Sequence, residues 1–290
     1  FVTDLFGSFA IDAVKEFRIP TYMFYTSSAA SLSIYFYISE LDASRDGEIR
    51  DLPALVKIPG FVPIRRSDLS SSLQNTGNPE YKFLLDLIRK SSAADGVLVN
   101  SFPELEPEIF SALKHALGKI PPIYPIGPLV RSEPIGSRKQ TELFDWLDRR
   151  ATGSVLFVSF GSGGTLSSRQ LMELALGLEL SNQNFILVVK KPNDGNKSAA
   201  YMGGGKTGGT DGVVRYLPLG FTERIKDAGF VLPEWAPQVE ILRHAAVAGF
   251  LSHCGWNSTL ESVVHGVPMI AWPLFAEQRT NAVLLTEGLQ

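Results

Sequence analysis

Apolar runs of about four to seven residues alternate with segments of helical period along nearly the whole chain, and no other feature limits the fold so tightly. An unbroken apolar run suits a strand buried on both faces, and a helix between two such strands is the crossover a parallel sheet requires. The first part predicts helices over Phe6–Phe17, Ala29–Leu41, Glu80–Ser92 and Pro103–Leu117, with strands at Thr21–Tyr25, Gly96–Asn100 and Ile123–Ile126. The Pro/Gly-rich run PPIYPIGPL and the polar RSEPIGSRKQT after it can form neither a helix nor a central strand, so they mark a junction. A second series follows, with strands at Ser154–Phe160, Phe185–Val189, Phe230–Leu232, Ala246–Leu251 and Val267–Ala271. Its helices are expected at Ser168–Leu180, Phe221–Ala228, Val239–His244, Thr259–His265 and from Glu277 onward. The expected class is α/β with two Rossmann-like domains on parallel sheets: residues 1–130, a linker over 131–141, and residues 142–290.

With 290 residues and an apolar share of 44%, the chain can fill two cores. A net charge of −3 with both signs scattered leaves no basic stripe for nucleic acid and no polybasic patch for a membrane surface. Cys254 is the one cysteine, so an internal disulfide is impossible, which suits the cytoplasm. No apolar run approaches the roughly 18 residues of a membrane-spanning helix, and stable membrane insertion is not expected. The chain opens at Phe1 without Met and stops at Gln290 inside an apolar helical pattern, so it is expected to be a piece of a longer protein. An upstream signal peptide is left open. A monomer is expected.

The chemistry concentrates between Trp235 and Gln278, WAPQVEILRHAAVAGFLSHCGWNSTLESVVHGVPMIAWPLFAEQ. The turn His253-Cys254-Gly255-Trp256-Asn257-Ser258 lies between an apolar strand and a helix, at the strand's carboxyl end where open α/β sheets bind ligands. Gly255 lets the backbone come close, and the helix start offers free N–H groups and a partial positive charge suited to a diphosphate. Ser258-Thr259-Leu260-Glu261 also reads as a capping box that merely satisfies the helix N-terminus, but His253, Trp256 and Asn257 are donors no helix start needs. Trp235 follows a strand directly, so its indole either stacks on a base or plugs the core beneath the loop. Glu277 and Gln278, side by side at a helix start, can accept from and donate to the vicinal hydroxyls of a hexose. An acidic residue favouring the helix N-terminus is the plainer explanation. Gly161-Ser162-Gly163-Gly164 after its strand is a tight turn that meets phosphate or only connects; with Leu166 at the third glycine position it is not a dinucleotide fingerprint. Ala200–Thr207 (AYMGGGKT) matches a relaxed P-loop, but it has Ala in place of the first Gly and no strand and helix flank it, so a P-loop NTPase is a poor alternative.

The Trp235–Gln278 box resembles, almost letter for letter, the signature box of plant secondary-product UDP-glycosyltransferases. VSFGSGG before it, NSFPELEP at Asn100–Pro107 and the opening TDLFG extend the resemblance through nearly the whole chain. Within the family it is most similar to hydroquinone and monolignol glucosyltransferases. The resemblance implies a GT-B fold, with an acceptor-binding N-terminal and a donor-binding C-terminal domain, both incomplete in this chain. It implies that Trp235 stacks on the uracil, that the Ala236 backbone reads it, and that Gln238 and Glu261 hold the ribose. His253, Asn257, Ser258 and Ser162 then contact the phosphates beside Gly255, and Trp256, Glu277 and Gln278 face the sugar. Asp4 falls where the family keeps the aspartate that orients its catalytic histidine. That histidine would belong upstream of Phe1.

The expected reaction of the complete protein is inverting transfer of glucose from UDP-glucose to a hydroxyl of a small, phenolic acceptor, with a His–Asp pair as base. UDP-glucose is a substrate, and no cofactor is expected. Neither is a metal, because the chain has no Asp-x-Asp and no His/Cys/Asp cluster at ligand spacing. The alternative is a non-catalytic UDP-binding fragment. His115, His244 and His265 are expected to be surface or structural histidines.

Overall fold

A computed structural model describes residues 1–44, 52–115, 120–131, 141–194 and 210–289. By internal contacts the chain forms two compact units, one of Phe1–Val130 with Ala276–Gln290 and one of Arg131–Phe275.

The first unit opens with β1 (Val2–Thr3), a 3₁₀ turn at Phe6–Ala10 and α1 (Ile11–Lys15), where one longer helix was expected. β2 (Tyr22–Tyr25) leads into α2 (Ala29–Ser44). Small and apolar residues on every face let α2 run through the interior instead of along its edge. A short antiparallel pair, β3 (Leu55–Val56) with β4 (Ile64–Arg65), and α3 (Ser71–Gln74) follow. α4 (Pro79–Ser91) starts on a proline, which suits a first turn, and buries Tyr81, Leu85 and Ile88 at helical spacing. β5 (Gly96–Val99), α5 (Pro107–His115) and β6 (Ile123–Pro125) complete the unit's order. The sheet runs β1-β2-β5-β6 with every neighbour parallel.

The second unit begins with α6 (Thr141–Asp148), then β7 (Val155–Ser159), α7 (Ser168–Leu180) and β8 (Asn184–Val189). α7 starts where the sequence predicts, because Ser167 accepts from the Gln170 N–H and Gln170 reaches back to Ser167. α8 (Thr210–Val214), α9 (Phe221–Arg224), β9 (Gly229–Pro233), α10 (Gln238–Arg243), β10 (Val247–Ser252), α11 (Trp256–Val264) and β11 (Met269–Ala271) follow. The sheet order is β11-β10-β7-β8-β9, all parallel. This is the doubly wound order, in which the chain reverses direction between β7 and β10. Residues along β7 and β8 alternate between two cores. Val158, Phe185 and Leu187 pack with Leu171, Leu174 and Phe221 on one face, while Phe157 and Ile186 pack with Trp146, Leu147, Ile241 and Phe250 on the other. That two-sided burial explains the unbroken apolar runs.

The last helix, α12 (Gln278–Val283), packs with the first unit, whereas the sequence reading carried the second domain through to 290. Val283 packs against the first unit's apolar core, and polar ties distant in sequence add to it: Ser27 Oγ donates to Glu277 Oε1 at 3.1 Å and Ser28 Oγ to Asn281 Oδ1 at 3.0 Å. Most of the expected linker and the whole Ala200–Thr207 motif lie outside the described residues. No helix among the described residues is long and apolar enough to cross a membrane.

Candidate functional site

The carboxyl ends of β7 and β10 flank the point where the strand order reverses, and beside it a cavity of about 240 Å³ opens over the carboxyl ends of β7, β8 and β9. Its lining includes Ser162 from the turn after β7, Lys190 after β8, Trp235 and Ala236 after β9, Gln238 at the start of α10, and Ser258 and Glu261 from α11.

The β9–α10 corner presents Trp235. Glu234 sits in the left-handed region (φ 63°), an uncommon place for a residue with a side chain, and its N–H bonds the Val189 carbonyl at 2.8 Å. The reversal leaves the indole 53% exposed on the cavity, so Trp235 is not a core plug.

Gln238, Ser258 and Glu261 form one cluster, with Gln238 Nε2 donating to Ser258 Oγ at 2.9 Å and to Glu261 Oε2 at 2.7 Å. Burial raises the Glu261 carboxyl above its usual range, and the Gln238 bond offsets this in part. α11 begins at Trp256 with Gly255 as its N-cap, three residues earlier than the expected Thr259. Ser258 therefore lies inside the first turn and caps nothing. The capping-box explanation is overturned, and the Ser258 hydroxyl is turned to the Gln238 amide instead.

His253 is 8% exposed and lies between two glycines: a Cβ on either Gly161 or Gly255 would overlap its imidazole. Gly161 also has φ +72°, so that position needs glycine twice over. Burial first, and the nearby Lys190 ammonium second, lower the His253 pKa to about 4. The ring is neutral at ordinary pH, with Nδ1 buried and without a partner among the described residues. Cys254, also left-handed (φ 62°), is buried, and burial pushes its thiol up to about 11, which makes it inert.

Other expected residues lie elsewhere. Trp256 is 3% exposed at the first position of α11, and Asn257 beside it is exposed. Glu277 is the N-cap of α12 and Gln278 its buried first residue, both in the first unit. Asp4 is exposed after β1, where its Oδ1 accepts from the Gly7 N–H at 2.8 Å. Of the other histidines, His115 Nδ1 meets the Ser111 carbonyl, His244 Nε2 meets Asp148 Oδ1, and His265 Nδ1 meets the Glu261 carbonyl.

The sequence reading missed Lys190 and Arg131, the cations that line the cavity among the described residues. Lys190 Nζ donates to the Gly161 carbonyl, and burial holds its ammonium below the usual lysine range. The available signal was positional: Lys190 is the first charged residue after the apolar run of β8, at the carboxyl edge of the sheet.

Residues 139–288 match the family model described as UDP-glucoronosyl and UDP-glucosyl transferase. The chain is 47% identical over 289 residues to a hydroquinone glucosyltransferase of Rauvolfia serpentina, covering 100% of this chain and 61% of that protein. Among solved structures, Phytolacca americana UGT2 complexed with UDP-2fluoro-glucose and pterostilbene matches with a TM-score of 0.86 and 43% identity, over 99% of this chain and 60% of that one. A UDP-glucosyltransferase from Polygonum tinctorium capable of glucosylating indoxyl, in complex with 3,4-dichloroaniline, matches with a TM-score of 0.86 and 44% identity, over 99% and 59%. The chain thus spans about three-fifths of the length of the relatives it matches.

Proposed function

Because the chain belongs to the family of UDP-glucoronosyl and UDP-glucosyl transferases and its two parallel-sheet units have the GT-B fold, we propose that the second unit is the donor site of a UDP-glucose-dependent glucosyltransferase. The observation that carries this reading is the convergence of Trp235, Gln238, Ser258 and Glu261 on one cavity beside the switch point of the second sheet.

In this reading the exposed indole of Trp235 stacks on uracil and the Ala236 backbone reads its edge. The Glu261 carboxylate, oriented by Gln238, accepts from the ribose hydroxyls. Ser162, the Ser258 hydroxyl, Asn257, the neutral His253 ring and the N-terminus of α11 at Gly255 surround the diphosphate. Trp256, Glu277 and Gln278 are assigned to the sugar.

Transfer in the complete protein is inverting. A base removes the acceptor hydroxyl proton, the oxygen bonds to the anomeric carbon, and the bond from that carbon to the diphosphate oxygen breaks on the opposite face, releasing UDP. Hydrogen-bond donors already in place stabilise the charge that builds on the leaving diphosphate. Asp4 is assigned to hold the base, a histidine, in the right tautomer. The acceptor class, a small phenol, rests on likeness to the hydroquinone glucosyltransferase and to the pterostilbene complex.

A second reading, UDP binding without transfer, applies to residues 1–290 taken alone. His115, the histidine of the first unit, is engaged with Ser111 rather than with Asp4. Titration calorimetry of the chain with UDP and ADP, followed by an assay with UDP-glucose and hydroquinone, tests both readings. Preference for UDP with no glucoside formed is expected. Equal affinity for ADP removes the uracil site, and glucoside formation removes the non-catalytic reading.

A further inference from the structure

Resting on the donor-site reading, we infer that Lys190 is the cation that binds the donor's diphosphate, and that it also fastens the Gly161–Ser162 turn against which the diphosphate lies. The cavity has an unfavourable charge pattern for an anion. Glu234, Glu240 and Glu261 all line it, and a diphosphate brings about two to three further negative charges into a partly desolvated space. Ser162 and Ser258 are neutral, and the N-terminus of α11 contributes only about half a charge. His253 adds a dipole without a charge, because its ring is neutral at ordinary pH.

Two cations remain among the described lining residues, and they act at different places. Arg131 acts on Glu261, which is assigned to the ribose. Lys190 donates to the Gly161 carbonyl and acts on His253, so its ammonium lies where the β7 turn and the His253 ring come together. The hydrogen bond to Gly161 consumes one of the three ammonium protons and leaves two for a ligand. It also limits the side chain's freedom before a ligand arrives, so less entropy is lost on binding. Glu234 is the carboxylate that acts on Lys190. It opposes in part the lowering that burial imposes on the ammonium.

The test is calorimetric titration of the chain with UDP and, separately, with uridine, at low and high ionic strength, in wild type, Lys190→Met and Lys190→Arg. Methionine keeps the length and apolar stem while removing the charge, and arginine keeps the charge. The expected result is that Lys190→Met weakens UDP about tenfold or more, the scale of a charge-assisted contact. It should leave uridine within about twofold, and flatten the salt dependence of UDP binding. Lys190→Arg should retain most of the UDP affinity. Unchanged UDP affinity in Lys190→Met overturns the inference, and so does an equal loss for UDP and uridine, which would make Lys190 a structural strut only. A wild-type chain that binds neither ligand overturns the donor site itself, and the role of Lys190 falls with it.

Discussion

At the scale of single residues, the turns after β7 and β10 hold positions where ordinary side chains would fail. Gly161 and Gly255 clear the space that His253 fills. Gly255→Ala has an ordinary φ of −64° and no strain of its own, so its whole effect is steric and passes through the imidazole. The substitution should cost about 1–3 kcal/mol of stability, as overpacking does. In the His253→Ala background the cost should largely vanish. Urea unfolding of the two single variants and the double reads the coupling, and additive losses would contradict the sandwich. The same ring sets a pH dependence. Its native pKa of about 4 lies below the ordinary histidine value. Between the two, the unfolded chain holds a proton that the native state lacks, so stability falls as pH drops from about 6.5 toward 4. His253→Gln should remove that component. Trp235 is testable on the same footing: Trp235→Ala should weaken both UDP and uridine by about 1–3 kcal/mol, the scale of one base stacked on an aromatic ring. A loss confined to UDP would move Trp235 away from the base.

At the scale of elements, long periodic segments were legible and short ones were not. α7 matches its predicted range because its apolar spacing and its capping box agree. β1, β3, β4 and α3 carry two to four residues each, too few for a period to register, and α6 follows a polar run that hid its start. The beginning of α11 was misplaced because Ser258-x-x-Glu261 imitates a cap, while Gly255 fills that role without a side chain. NSFPELEP was visible only as a motif; its physical role comes from the fold. Glu106 is buried, and its two carboxylate oxygens accept from the N–H groups of Ala29 and Ala30 at 2.9 and 2.8 Å, while Ser101 donates to it as well. It caps α2 from a distant loop. Glu106→Ala leaves two buried N–H groups unpaired and should cost about 2–5 kcal/mol in urea unfolding. Burial raises the Glu106 carboxyl above its usual value, and its hydrogen-bond donors oppose this only in part. In the window just above the ordinary carboxylate range the native state therefore keeps a proton that the unfolded chain has lost, and stability falls as pH rises through it. Glu106→Gln should abolish that slope while losing less stability than Glu106→Ala, and an unchanged slope would assign the titration to another group.

At the scale of the whole molecule, the alternation of apolar runs made both parallel sheets legible, but their strand order was not. A sequence gives the succession of strands and not their neighbours, and the pairing of β7 with β10 that creates the switch point depends on crossovers no local pattern records. The same limit applies to Ala276–Gln290. The box runs on without a break into Glu277 and Gln278, so the sequence placed them with the second domain, yet they pack into the first unit through partners about 210 to 250 residues away. Thr280 Oγ1 donates to the Asp68 carbonyl at 3.1 Å, Ser28 is tied to Asn281, and Leu284 is buried. Deleting residues 276–290 therefore tests whether the two units carry separate properties. One large buried apolar side chain at about 1.5–3 kcal/mol and four side-chain hydrogen bonds, of Glu277, Arg279, Thr280 and Asn281, at about 1 kcal/mol each put the loss to the first unit at roughly 5–7 kcal/mol. Hydrogen exchange should show this as faster exchange at α2 and around Asp68, with β7, β8 and β10 unchanged. Every residue assigned to uracil, ribose and diphosphate lies in Arg131–Phe275, so UDP affinity should survive the deletion within about threefold. If the truncated chain loses UDP, Arg131–Phe275 does not hold the nucleotide by itself, and the proposal that the second unit is the donor site has to be abandoned.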